Sequence, residues 1–388
     1  MLRTAKSPRN RRSLAAALAL VLGAVAPPAP GQPAAVPPAA VSPISPAVPP
    51  VPAAAPLPSA PYVFPAHDTD LLAVTPEMEA YFAARVDNVG DEVTRLREIV
   101  GAILEADSLH FIYDPEGNYS AAETFRRRRG NCVSFSFLAI AVVRSYGFNA
   151  DFCEVNTYPR WDRHGNLITE IRHINVRVRT GGALFDLDLL PGTERSTPIS
   201  SVDLVSDARA FAHFYNNLAV QRIGAGDETG ALALFDRALA ADPTAAFVWA
   251  NKGEDLLRAG DYPAAERCLD RAVRLNSSEH TALTSLANLY SLTGRTRESE
   301  ALQKKVERYQ LRNPYYLQRL AQGEYDKGQF HDAETHLHRA IAIKDDEPEF
   351  YELRILVAHA LGRNADAQRW TAKLQELRSL HSDEQPGS

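Results

Sequence analysis

A chain of 388 residues, 45% of them hydrophobic, is too long for one ordinary core and rich enough in apolar residues to fill two or more. Its formal charge is -6, and Arg3, Lys6, Arg9, Arg11 and Arg12 stand unopposed at the front, so the remainder is more acidic still. An acidic body argues against nucleic acid as a partner.

Residues 1–26 combine a basic start, an apolar run from Leu14 to Ala26 and small residues at its end, the layout of a secretory signal peptide. Ala24-Val25-Ala26 has the form of a cleavage site, whereas Pro27 opposes cleavage there, so the leader is expected either to be removed or to stay as a short N-terminal anchor. The run is shorter than the roughly 20 residues that span a bilayer comfortably. Export to the periplasm, cell envelope or medium is the expectation, with membrane contact only through that anchor. Residues 27–66 are Pro, Ala and Val with almost no charge, a disordered polyproline-like linker. The three cysteines, Cys132, Cys153 and Cys268, are an odd number and form no disulfide framework.

The first folded region is expected over 67–205. Met78, Tyr81 and Phe82, then Val93, Leu96, Ile99, Val100 and Ile103, recur at helical spacing and predict two helices. Gly130-Asn131-Cys132 opens an apolar run to Tyr146-Gly147, with Asn131 a favoured N-cap, so the run predicts a buried helix that begins on a cysteine. Strand-like pieces follow at Ala150 to Asn156, Arg172 to Arg179 and Ala183 to Leu190, the last two joined by a Gly181-Gly182 turn. Helices first and an antiparallel sheet second define an α+β domain.

A helix start stabilises negative charge, which favours a thiolate at Cys132. A nucleophilic cysteine also needs an imidazole and a group that orients it. In Arg172 to Val178 the alternation turns His173 away from Ile174, Val176 and Val178, and in Leu184 to Leu189 it sets Asp186 and Asp188 on one face. Arg126 to Arg129 form a basic run before the cysteine, read as solvated surface, with a role in holding thiolate or acidic substrate as the alternative. His164, in Arg163-His164-Gly165-Asn166, reads as a loop residue, and Cys153 and Cys268 as packed residues.

Gly-Asn-Cys at the head of an apolar helix, a histidine opening a strand about forty residues later and an aspartate ending the next strand resemble the transglutaminase-like superfamily, related in fold to papain-like cysteine proteases. The resemblance implies Cys132 as nucleophile, His173 as general base and then acid, and Asp186 as the orienting group, with Asp188 as the alternative. Asn175 stands where the family often has tryptophan.

From about Ala212 a period of 34 residues sets in, carried by Gly226, Gly260, Gly294, Gly328 and Gly362 and by Ala231, Ala265, Ser299, Ala333 and Ala367. With Ala-Asp-Pro at 241–243, this resembles the tetratricopeptide repeat (TPR) family, so an all-α solenoid of about five repeats is expected over 206–381, followed by a disordered tail at 382–388. Asn276-Ser277 lacks the usual proline, and Gln303 and Thr371 are polar where a large apolar residue is usual. The aromatic residues Tyr215, Trp249, Tyr290, Tyr315, Tyr316, Tyr325 and Tyr351 fall to the core or to a groove holding a protein or peptide.

Two functions follow. One is an exported transglutaminase-like cysteine hydrolase, a peptidase or amidase, or an acyl-transfer protein, acting on a protein or peptide beside a TPR array. The other is a non-catalytic TPR scaffold that retains the transglutaminase-like fold. No cofactor or metal is expected, since the histidines form no His-x-x-x-His pattern and no Gly-rich phosphate loop occurs.

Overall fold

The computed structural model describes residues 67–87, 90–105, 107–164, 167–189 and 199–383. The leader, the linker and the tail at 384–388 lie outside the described residues. The rest falls into two compact units. The first holds the described residues up to Tyr158 together with Arg172–Gln221 and Ala233–Pro243; the second holds Pro159–Ile171, Arg222–Leu232 and the chain from Thr244 onward.

The first unit opens with a short 3-10 helix, Asp68–Leu72, then α1 (Pro76–Ala83) and α2 (Glu92–Leu104), the two helices that periodicity predicts. Thr75 and Asp91 cap them, their side chains accepting backbone N–H groups of the first turn. Next come β1 (Ile112–Tyr113), α3 (Ala121–Arg127), β2 (Arg129–Gly130) and α4 (Cys132–Ser145). β1 and β2 form a two-stranded parallel ladder, too short to leave an alternation in the sequence. Every residue of α4 from Val133 to Val143 is buried, which is why its apolar residues continue right around the helix. Phe137 meets Phe152, Phe211 and Phe214 at ring centroid distances of 5.8, 5.9 and 5.6 Å.

The sheet has four strands in the order β5-β4-β3-β6, where β3 is Asn149–His164, β4 Leu167–Thr180, β5 Ala183–Leu187 and β6 Ile199–Val205. β3 and β4 extend beyond the expected Asn156 and back from Arg172, through Pro- and Arg-containing sequence without clean alternation. The edge strand β6 pairs antiparallel with β3 and carries no clear strand pattern in the sequence, because its Ser, Asp and exposed Leu204 dilute it. His164 closes β3 instead of lying in a loop.

Ten helices follow: α5 (Asp207–Gly224) and α6 (Glu228–Ala241), then four packed pairs, α7 (Ala246–Arg258) with α8 (Tyr262–Leu275), α9 (His280–Leu292) with α10 (Thr296–Gln310), α11 (Pro314–Asp326) with α12 (Phe330–Ile343), and α13 (Pro348–Ala360) with α14 (Asn364–Asp383). The five periodic glycines all turn between successive helices at φ of 72 to 83°, a left-handed conformation that other residues enter at a cost. The departures at Gln303 and Thr371 are absorbed locally: Gln303 Nε2 donates to Ser299 Oγ at 3.1 Å and the Thr371 hydroxyl to the Ala367 carbonyl at 2.9 Å.

A boundary at 205/206 is too simple. Most of α5 and Ala233–Pro243 group with the first unit, where Phe214 joins the Phe137 cluster and the Tyr215 hydroxyl donates to Asp68 at 2.6 Å. Phe and Tyr at 211, 214 and 215 give the first repeat a packing surface for the α4 core, which periodicity alone does not distinguish.

Candidate functional site

The site is built around the start of α4. Asn131 Oδ1 accepts the Ser134 N–H at 3.1 Å, while its Nδ2 donates to Asn118 Oδ1 at 3.1 Å, and Asn118 Nδ2 donates to the Phe214 carbonyl at 2.8 Å. The Ser134 hydroxyl donates to the Gly117 carbonyl at 2.8 Å and accepts the Tyr119 N–H at 2.7 Å. This crowding explains Gly130: a Cβ there would stand 2.5 Å from Ser134 Cβ and 3.2 Å from the Gly117 carbonyl. Cys132 is therefore fixed as the first residue of the helix, its N–H outside the helical ladder and its thiol only partly buried.

His173 comes from β4. The Ser136 hydroxyl, one turn into α4, donates to the Ile174 carbonyl at 3.2 Å and ties the cysteine helix to that strand. The His173 ring is hydrogen-bonded through Nε2 to Asp188 Oδ1 at 2.5 Å, and Cys132 lies near enough to act on its charge. The His173 and Asp188 side chains are 13% and 16% exposed. Burial by itself would lower the His173 pKa, but the hydrogen bond of Asp188 and the charges of Asp188 and Cys132 outweigh it and push it up to about 10. An imidazolium beside the Asp188 carboxylate is the charge state these neighbours favour.

Asp186 is not brought to the histidine. It forms a two-point ion pair with Arg177, Nε to Oδ1 at 2.6 Å and Nη2 to Oδ2 at 2.8 Å. The reason is register. The turn at Gly181-Gly182 sets Arg177 opposite Asp186 and Val176 opposite Leu187, and one further step puts Asp188 across from Asn175. Asp186 thus faces a residue four positions, about 13 Å, along β4 from His173, while Asp188 faces one only two positions away. Glu92, at the first turn of α2, anchors that turn by accepting the Thr180 hydroxyl and the Gly181 N–H.

Asn175 belongs to the same cluster: 3% exposed, its Nδ2 donates to Asp188 Oδ2 at 3.1 Å. Counting residues outward from the Gly-Gly turn sets Asp188 across from Asn175, but does not say which aspartate reaches the ring. The arginine run is not plain solvated surface. Arg126 and Arg127 both reach Glu123 at 2.5 Å, Arg127 also lies over the Tyr119 ring, and Arg129 pairs with Asp114 at 2.9 Å. Cys153 is fully buried, with burial raising its pKa to about 11 against the lowering influence of Arg177, and Cys268 is buried in α8. Of the repeat aromatics, Tyr215, Tyr290, Tyr315 and Tyr351 are buried in the core, and Trp249, Tyr316 and Tyr325 are half-buried. Among the described residues no group of three or more His, Cys, Asp or Glu is gathered to hold a metal ion.

No curated protein matches the chain. Solved structures that it resembles include the MamA protein (16% identity, 46% of this chain and 97% of that one, TM-score 0.30) and MamA from Desulfovibrio magneticus RS-1 (14%, 43% and 95%, TM-score 0.30). Another is YrrB, a TPR protein with an unusual peptide-binding site (14%, 45% and 92%, TM-score 0.27). A family model for the tetratricopeptide repeat matches residues 251–310 and 319–378. With the helix pairs and their 34-residue period, the match makes residues 251–378 tetratricopeptide repeats.

Proposed function

We propose that the first unit is a transglutaminase-like thiol acyl-transfer centre in an exported protein, and that the repeats hold the protein or peptide on which it acts. The observation that carries this reading is the His173 ring bonded to the Asp188 carboxylate and within electrostatic reach of Cys132. With its proton passed to His173, the Cys132 sulfur attacks an amide carbonyl carbon, and the resulting oxyanion is held by backbone N–H groups at the helix start. His173 passes its proton to the departing amine, and water, deprotonated by the same ring, cleaves the thioester. Hydrolysis is favoured over cross-linking because it needs no second pocket for an amine. Stacked helix pairs supply an extended surface suited to a polypeptide, and the leader-like residues 1–26 support export.

The test is to trap the intermediate. The full chain is incubated with candidate envelope proteins and peptides, quenched in acid and searched by mass spectrometry for an acyl adduct on Cys132, absent in His173→Ala. A chain that captures a partner and never acquires the adduct would support the second reading, a TPR scaffold without turnover. The family match favours that second reading, since it falls on the repeats.

A further inference from the structure

Asn175 lies two residues beyond His173 on β4 and shares its face of the strand. Its Nδ2 and the His173 Nε2 approach different oxygens of one carboxylate, Oδ2 at 3.1 Å and Oδ1 at 2.5 Å. A carboxylate held at one oxygen can rotate about its Cβ–Cγ bond, whereas one held at both cannot. The amide has only one workable orientation, because exchanging its oxygen and nitrogen would set two acceptors face to face. The price is visible in Asn175 Oδ1, which is buried without a hydrogen-bond partner. A leucine of similar size would avoid that cost, so packing does not account for the residue.

We propose that Asn175 is a positioning residue of the thiol centre: it locks the Asp188 carboxylate in the plane that presents Oδ1 to His173, and so holds the ring against Cys132. The proposal rests on the acyl-transfer reading and adds a fourth member to it. The titratable groups facing the ring are Cys132 from α4 and Asp188 from just past β5, and Asn175 is neutral, so its substitution acts through the placement of Asp188.

The experiment uses the full chain as wild type, Asn175→Leu and Asn175→Ala, each checked for folding by circular dichroism. Two quantities are read: the ring titration of His173 by nitrogen-15 NMR, and the pH profile of Cys132 alkylation by iodoacetamide, followed on the Cys132 peptide. Both variants should lower the His173 titration by about one pH unit or more and slow Cys132 alkylation near neutral pH about tenfold. A folded variant in which the His173 titration stays in place or rises overturns the proposal. If wild-type Cys132 reacts as an ordinary thiol, the acyl-transfer reading alone fails. The His173 titration, repeated in Cys132→Ser, still decides whether Asn175 governs the pair.

Discussion

At the scale of single residues the site turns on which carboxylate the histidine meets. Asp188→Ala removes the partner at 2.5 Å, whereas Asp186→Ala only frees Arg177. Cys132 alkylation near pH 7 should therefore slow about tenfold or more in the first variant and keep its profile in the second. The charge state of His173 also links the site to stability. Because its pKa is raised to about 10, the folded chain binds more protons than the unfolded chain from about pH 6.5 upward. The contribution is full below about pH 6.5 and is lost as pH rises through about 10, so urea denaturation at pH 6 and pH 9 should show a larger loss for wild type than for His173→Ala. Glu154 behaves in the opposite sense. Burial opposes its ionisation, but the hydrogen bond from His213 at 2.8 Å and the charges of His213 and Arg209 bring its pKa down to about 2. Its contribution is present above about pH 4.5 and disappears as pH falls toward 2; Glu154→Gln should flatten the acid limb of the stability profile.

At the scale of elements, the cysteine helix is held by its cap as much as by its apolar face. Asn131, Asn118, Ser134 and the Gly117 carbonyl form a buried hydrogen-bonded set around the first turn. Gly130→Ala would drive a methyl group to within 2.5 Å of Ser134 Cβ. Overpacking of this kind costs about 1–3 kcal/mol, and the expected outcome is that loss in chemical denaturation together with slower Cys132 alkylation, because the helix start must shift. Asn131→Ala should cost about 1 kcal/mol or more, since the N-cap bond is lost and Asn118 loses a buried partner.

At the scale of the whole molecule, the repeats are a stack in which each helix pair depends on the next. Gly253 on α7 shows how tightly one pair is packed: a Cβ there would lie 2.7 Å from Leu269 Cγ and 3.2 Å from Cys268 Cβ on α8. Gly253→Ala should destabilise the chain by about 1–3 kcal/mol and broaden the denaturation curve, because a weakened interface lets neighbouring repeats unfold apart. Within the second unit, Trp161 of β3 packs with Tyr315, Leu317 and Phe350, its ring centroid 5.4 Å from that of Tyr309.

The 34-residue period, the glycine turns and the small residues between helices determine the repeats locally, because each unit carries its own turn and packing signals. The buried helix that begins on Cys132 was equally legible, since a cap residue followed by an unbroken apolar run has few other readings. The choice between Asp186 and Asp188, the part played by Asn175 and the pairing of Arg129 with Asp114 were decided by tertiary structure. Alternation says which face of a strand a residue occupies, but which residue it meets depends on the register of another strand and on what packs above it. That is a property of two segments together, and neither segment encodes it alone.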